Sequence, residues 1–119
     1  MRGYNSRGIR AETEKEMDSL MAAYMIAQIS IHDRVEFEKY LAGFMEAFTP
    51  YNGRILAAED SVEVVEGNWP YSRTVILEFP SIEQARNWYH SSAYQAVAQH
   101  RFKASTENSV FVEGYRMPQ

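Results

Sequence analysis

Residues 62–80 read VEVVEGNWPYSRTVILEFP, two β-rich runs on either side of the hexapeptide GNWPYS. Gly67 and Asn68 permit a sharp change of direction, and Pro70 stiffens its far side. The run RTVILEF, 73–79, reads as a strand. Upstream, RILAA at 54–58 and VEVVE at 62–66 read as one strand interrupted at Glu59–Ser61, so the stretch predicts a hairpin. Its turn carries Trp69 and Tyr71. A tryptophan is a large apolar surface to leave in water, so Trp69 is expected to pack on the end of the domain or on a second subunit. Lining a ligand pocket is the third use open to it.

Before the hairpin, AYMIAQISI at 23–31 alternates Met25, Ala27, Ile29 and Ile31 with Tyr24, Ile26, Gln28 and Ser30, the pattern of a first strand. Asp33 can then cap a helix in which Phe37, Tyr40, Leu41, Phe44 and Phe48 recur at spacings of three and four, until Pro50 and Gly53 stop it. After the hairpin, Ser81 can cap a second helix with Ile82, Ala85, Trp88 and Tyr89 inward. Ser91-Ser92 breaks it, and a further helical stretch presents Tyr94, Val97, Ala98 and Phe102. SVFVEGY, 109–115, closes the chain as the last strand. The order β-α-β-β-α-β predicts an α+β, ferredoxin-like fold: a four-stranded antiparallel sheet with helices on one face.

That arrangement places the strands in the order fourth, first, third, second. Alternation then assigns Tyr24, Ile26, Gln28, Arg54, Leu56, Thr74, Ile76, Glu78, Phe111 and Glu113 to the face away from the helices. Ile26, Ile76 and Phe111 would form an exposed apolar patch there, which a homodimer packing two such faces would cover. Strand direction brings Tyr24, Arg54, Glu78 and Glu113 together at one end. Two carboxylates in a partly buried interface repel unless a cation sits between them, and Arg54 is that cation. One reading is an ion network fixing dimer register. The other is a polar pocket in which Arg54 anchors an anion, Tyr24 and Trp69 contact the ligand, and Glu78 or Glu113 acts as acid or base.

At 119 residues the chain suits one domain, with residues 21–119 as its body. Residues 1–20, MRGYNSRGIRAETEKEMDSL, are polar and read as an extension outside the core; a short helix from Ala11 to Met21 is the alternative. A net charge of −4 argues against nucleic-acid binding. With no cysteine, thiolate metal sites, iron–sulfur clusters and cysteine nucleophiles are excluded. No apolar run approaches the length of a membrane span and no signal peptide is legible, so a cytoplasmic protein without membrane contact is expected.

The chain has 3 histidines. His32 ends the first strand, near where the GNWPYS loop should lie, and could serve as a general base or be an exposed turn residue. His90 sits at a helix end, where a cation is favourable. No H-E-x-x-H or related spacing points to a metal, and neither G-x-S-x-G, G-x-G-x-x-G nor the P-loop pattern occurs. No cofactor is implied.

As a set, Gly53-Arg54-Ile55-Leu56, Val65-Glu66-Gly67-Asn68-Trp69-Pro70, Glu78-Phe79-Pro80-Ser81 and the run from Trp88 through Tyr94 resemble the bacterial domain-of-unknown-function family thirteen-thirty, over about residues 23–115. The resemblance implies a dimeric α+β barrel of ferredoxin-like subunits and no particular activity. Its wider superfamily includes cofactor-free monooxygenases, muconolactone isomerase-like enzymes, haem-handling proteins and binding or regulatory modules. Three functions are therefore open. The first is a homodimer binding a small anionic or carbonyl-bearing metabolite near its interface. The second is a cofactor-independent isomerase, lyase or monooxygenase-like enzyme using His32 or a carboxylate. The third is a dimeric accessory module without small-molecule chemistry.

Overall fold

The computed structural model describes residues 21–115. The extension expected at residues 1–20 lies outside them. Strand β1 (Ala23–Ile31) leads into helix α1 (Arg34–Phe48) and a single 3-10 turn. Strands β2 (Arg54–Glu59) and β3 (Arg73–Phe79) follow. Helices α2 (Ile82–Tyr89) and α3 (Ser92–Ala104) then return the chain to β4 (Ser105–Glu113). The sheet has 4 strands in the order β2-β3-β1-β4, and every neighbouring pair is antiparallel. This is the ferredoxin-like α+β fold that the sequence predicts.

The helix ends are set by local chemistry. The Asp33 carboxylate accepts from Glu36 N, Ser81 Oγ from Gln84 N, and Ser91 Oγ from Tyr94 N, each satisfying a first-turn amide that the helix leaves unpaired. Ser91 is thus what separates α2 from α3. Past the 3-10 turn, Asn52 adopts a left-handed conformation at φ 59°. Gly53 follows because nothing larger fits: a β-carbon there would lie 2.4 Å from the Phe48 ring and 3.1 Å from that of Phe79.

Ala23, Met25, Ala27 and Ile29 face the helices and are buried, as are Leu77 and Phe79 of β3. Above them, α1 contributes Phe37, Tyr40, Phe44 and Phe48, and the later helices contribute Trp88 and Tyr94. These rings meet mostly edge to face, as in Phe44–Tyr94 at 88° and Phe48–Phe79 at 80°, the geometry their quadrupoles favour. Leu41 and Phe102, expected inward, are exposed instead.

Three expectations need correction. First, VEVVE at 62–66 is not a strand. The pair Glu59↔Thr74 ends the hairpin, and among the described residues those beyond it have no neighbouring strand to bond; Val65 is 90% exposed. Second, the register of β2 on β3 shifts between Ile55 and Ala57, so Ala57, not Leu56, stands opposite Ile76 on the outer face.

Third, β4 begins at Ser105 and its faces are reversed. Phe111 pairs with Met25 and Glu113 with Ala23, so both belong to the helix face, whereas Val110 and Val112 stand opposite Ile26 and Tyr24 on the outer one. In Val110-Phe111-Val112 every residue is apolar, so alternation chooses no face, and a slip of one position inverts the assignment. The outer face remains apolar with these residues exchanged: Ile26, Ile76, Val110 and Val112 lie across its middle.

Candidate functional site

The outer face keeps part of the expected convergence. Tyr24 and Arg54 both stand opposite Glu78, and Arg54 Nε donates to Glu78 Oε1 at 2.8 Å. Glu113 is absent from this group, since its register turns it to the other side of the sheet. The Arg54 side chain is 70% exposed and the Glu78 carboxylate is already satisfied by it, so the pair is a solvated surface ion pair in this chain. Trp69 folds back toward the same face, where its Nε1 donates to Thr74 Oγ1 at 2.9 Å, and its ring borders a groove with Gln28 and Val110. His32 is exposed; its backbone N–H donates to Ala104 O.

A partly open cavity of about 70 Å³ lies on the opposite side, between sheet and helices. Its walls are almost wholly apolar. Its polar lining comes from Arg73, Tyr40, Trp88 and Glu107. The sheet fixes two of these. Ile29 pairs with Arg73 on one side and with Glu107 on the other, so cation and carboxylate occupy one row of the helix face with Ile29 between them. Arg73 is in phase with Val75, Leu77 and Phe79, and Glu107 with Ser109 and Phe111.

Each polar group has an unusual setting. Arg73 Nη1 donates to Asp60 Oδ1 at 2.8 Å and the guanidinium carbon lies 5.7 Å from the centre of the Phe37 ring, but its Nε is buried without an acceptor among the described residues. Trp88 is fully buried and its indole Nε1 also has no acceptor among them. Tyr40 and Tyr94 share a hydrogen bond between their hydroxyls of 2.7 Å. Burial pushes the Tyr40 hydroxyl well above its usual value, and burial likewise raises Tyr94, so both are neutral at physiological pH. Glu107 lies 3.1 Å from Arg101 Nη1, with both side chains 6% exposed. Burial raises its carboxyl, and the Arg101 cation pulls it back only in part.

The mouth opens where the helices stop short of the sheet edge. Ile55 and Ala58 on the helix face of β2 line the cavity with Leu41 of α1, and Ile55 and Leu41 are 47% and 43% exposed. An interior space of this size takes the end of a ligand rather than a whole metabolite, with the remainder lying across β2.

None of the candidate site residues Tyr24, His32, Arg54, Trp69, Glu78 and Glu113 lines this cavity, whereas Tyr40 and Trp88 line it as members of the expected core. Arg73 was legible as the inward first residue of RTVILEF. Arg101 follows Tyr94 and Ala98 at helical spacing on the stripe that faces the core, an uncommon place for a charge. Glu107 lies before the expected start of the last strand, in a run too polar to read as one. Among the described residues, no group of three His, Asp or Glu could hold a metal ion, and no helix is long and apolar enough to cross a membrane.

Fold and cavity together define a ferredoxin-like α+β domain with a small apolar chamber under its helices. The chain belongs to the family described as a domain of unknown function, DUF1330, whose family model matches residues 22–115. Among solved structures it is similar to a protein of unknown function from Rhodopseudomonas palustris, at 13% identity over 99% of this chain and 98% of that one, TM-score 0.66. SnoaB, a cofactor-independent oxygenase from Streptomyces nogalater, is similar at 13% identity over 82% of this chain and 96% of that one, TM-score 0.58. A dimeric ferredoxin-like protein of unknown function from Thermobifida fusca is similar at 17% identity over 79% and 90%, TM-score 0.52. These likenesses are of fold. No curated protein matches the chain in sequence.

Proposed function

We propose that this protein binds a small, mainly apolar metabolite bearing a carbonyl or carboxylate oxygen, and that the oxygen sits in the cavity between sheet and helices. One observation carries the reading: two residues of an apolar chamber, Arg73 and Trp88, each hold a buried N–H with no acceptor. Leaving such a donor unpaired costs about 1–3 kcal/mol, and buried orphans are rare in folded proteins. A ligand oxygen that reaches the Trp88 indole supplies its missing acceptor. The site thus differs in place from the interface pocket expected from the sequence, though not in the class of ligand.

The protein acts as a homodimer in this reading. Ile26, Ile76, Val110 and Val112 form an apolar stripe across the outer face, and a similar fold in Thermobifida fusca is dimeric. Tyr24, Arg54 and Glu78 then serve as an interface network, and Trp69 as a contact at its edge.

A second reading is a cofactor-independent isomerase, lyase or oxygenase acting in the same cavity. It is favoured by the buried, raised carboxyl of Glu107 and by the likeness in fold to SnoaB.

Calorimetry with phenylacetone and with n-propylbenzene, its analogue without oxygen, tests the binding reading. One extra hydrogen bond of about 1.4 kcal/mol corresponds to tenfold tighter binding of the ketone. Equal affinity for the two would mean that the donors are not used, and no binding of either would favour the accessory-module reading.

A further inference from the structure

We infer that the segment Val62–Glu66 is a clasp for a second copy of this chain, adding as a strand to the free edge of β4 in the partner subunit. The inference rests on the homodimer reading above and names the contact that holds the dimer together. Two unpaired elements carry it. Val62–Glu66 has the composition of a strand but leaves the sheet, with Val64 and Val65 48% and 90% exposed. β4 pairs with β1 on one side, and among the described residues no strand covers its other side. A valine-rich extended segment and an open sheet edge complete each other by strand addition.

The hydrogen-bond pattern shows which groups stand open. Gly114 N–H donates to Ala22 O, so by antiparallel alternation Val112, Val110, Asn108 and Thr106 turn their amides to β1. The amides of Glu107, Ser109, Phe111 and Glu113 point the other way, into the free edge. Of the two edges of the sheet, this one is suited to extension. β2 has 6 residues and a register shift between Ile55 and Ala57, which interrupts a ladder. β4 has 9 residues in unbroken register, with no lysine or proline to discourage pairing.

Level, charge and area agree with this partner. Asp60, where the segment leaves β2, bonds Arg73, and Arg73 lies in one row with Ile29 and Glu107. A two-fold axis along the strands sets β2 of one copy over β4 of the other and keeps the rows level, so the segment arrives beside residues 105–109. Glu63 and Glu66 meet no free like charge there, because Thr106 and Asn108 are neutral and the Glu107 side chain is paired with Arg101 in the core. The outer-face stripe alone is too small to hold a dimer. Its four aliphatic side chains bury at most about 500 Å², against roughly 800 Å² per partner in a stable interface. Val62, Val64, Val65 and Trp69, the last 39% exposed, supply the remainder.

Sedimentation and amide exchange by NMR test the clasp, on the wild type and on the double variant Val64→Lys with Val65→Lys. Both side chains are exposed in the subunit, so the variant should keep the thermal midpoint of the wild-type monomer. Its dimer dissociation constant should rise at least about tenfold. In the wild-type dimer the amides of Glu107 and Ser109 should exchange as slowly as those of Thr106 and Asn108, which the β1 ladder holds. At a concentration where the variant is monomeric, only Glu107 and Ser109 should become fast. A wild-type dimer whose Glu107 and Ser109 amides exchange freely, a variant that dimerises as the wild type does, or protection that persists in the monomeric variant would each overturn the inference and leave the stripe-packed dimer standing. A wild type that stays monomeric at every concentration would remove both.

Discussion

Arg101 and Glu107 form an ion pair of 3.1 Å in which both side chains are 6% exposed, and Glu107 is at the same time part of the cavity wall. Arg101 crosses from the helix layer to hold a carboxylate on the sheet, with its guanidinium 5.7 Å from the centre of the Tyr40 ring. The pair therefore joins the packing of the domain to the chemistry of its cavity.

Removing one partner leaves the other as an uncompensated buried charge. Arg101→Met should cost about 3–5 kcal/mol in urea unfolding at neutral pH. The double variant Arg101→Met with Glu107→Leu should recover most of it, because apolar replacement of both charges removes the desolvation penalty as well as the attraction. A neutral single variant would mean that water reaches the pair.

Gly53 is required by the rings on which it lies, not by its backbone angles. Gly53→Ala should destabilise the fold by about 1–3 kcal/mol, the usual cost of overpacking a filled interior, because neither Phe48 nor Phe79 has space to withdraw. Thermal unfolding reads the change. An unaltered midpoint would show that the turn can shift as a unit.

Alkaline titration should separate the tyrosines. The chain has 8. Tyr40 is raised well above the usual value of 10.0 and Tyr94 is raised too, by burial in both cases. For a raised group the stabilising contribution is fully present below the unfolded value and is lost as pH climbs through the folded one. Absorbance at the tyrosinate band should therefore show these two hydroxyls resisting ionisation near that pH and titrating only as the protein unfolds. Simultaneous ionisation of all the tyrosines in folded protein would contradict the buried hydroxyl pair.

Arg54 offers the opposite case. Its exposed pair with Glu78 is worth about 0–1 kcal/mol to the subunit, so Arg54→Ala should leave monomer stability nearly unchanged. Sedimentation should nevertheless show weaker dimerisation, since the residue borders the apolar stripe. Unchanged self-association would remove Tyr24, Arg54 and Glu78 from the proposed interface.

Where one periodicity dominated, the chain was legible. β1 alternates cleanly, α1 carries its aromatics at helical spacing behind Asp33, and serines mark both later helix starts; strand order then followed from the alternation of elements. Legibility failed where the pattern was uniform or polar. Val110-Phe111-Val112 offers no contrast between faces, which sent Glu113 to the wrong side, and Val62–Glu66 has strand composition but no neighbour to pair with. The cavity was hidden for a related reason. Its polar residues come from the edge of one strand, the core stripes of two helices and the polar start of β4, and the sheet pairs only Arg73 and Glu107, across Ile29.

The claim that the helix-face cavity is the binding site can be read at one proton. The chain has 2 tryptophans, and their indole N–H groups differ: Trp69 donates to Thr74, whereas Trp88 has no acceptor among the described residues. Nitrogen–proton NMR of labelled protein during titration with phenylacetone should move the Trp88 indole resonance downfield, as a new hydrogen bond forms, and leave that of Trp69 in place. A Trp88 signal unchanged at saturation, or a shift confined to Trp69, would contradict the assignment and return the site to the outer face of the sheet.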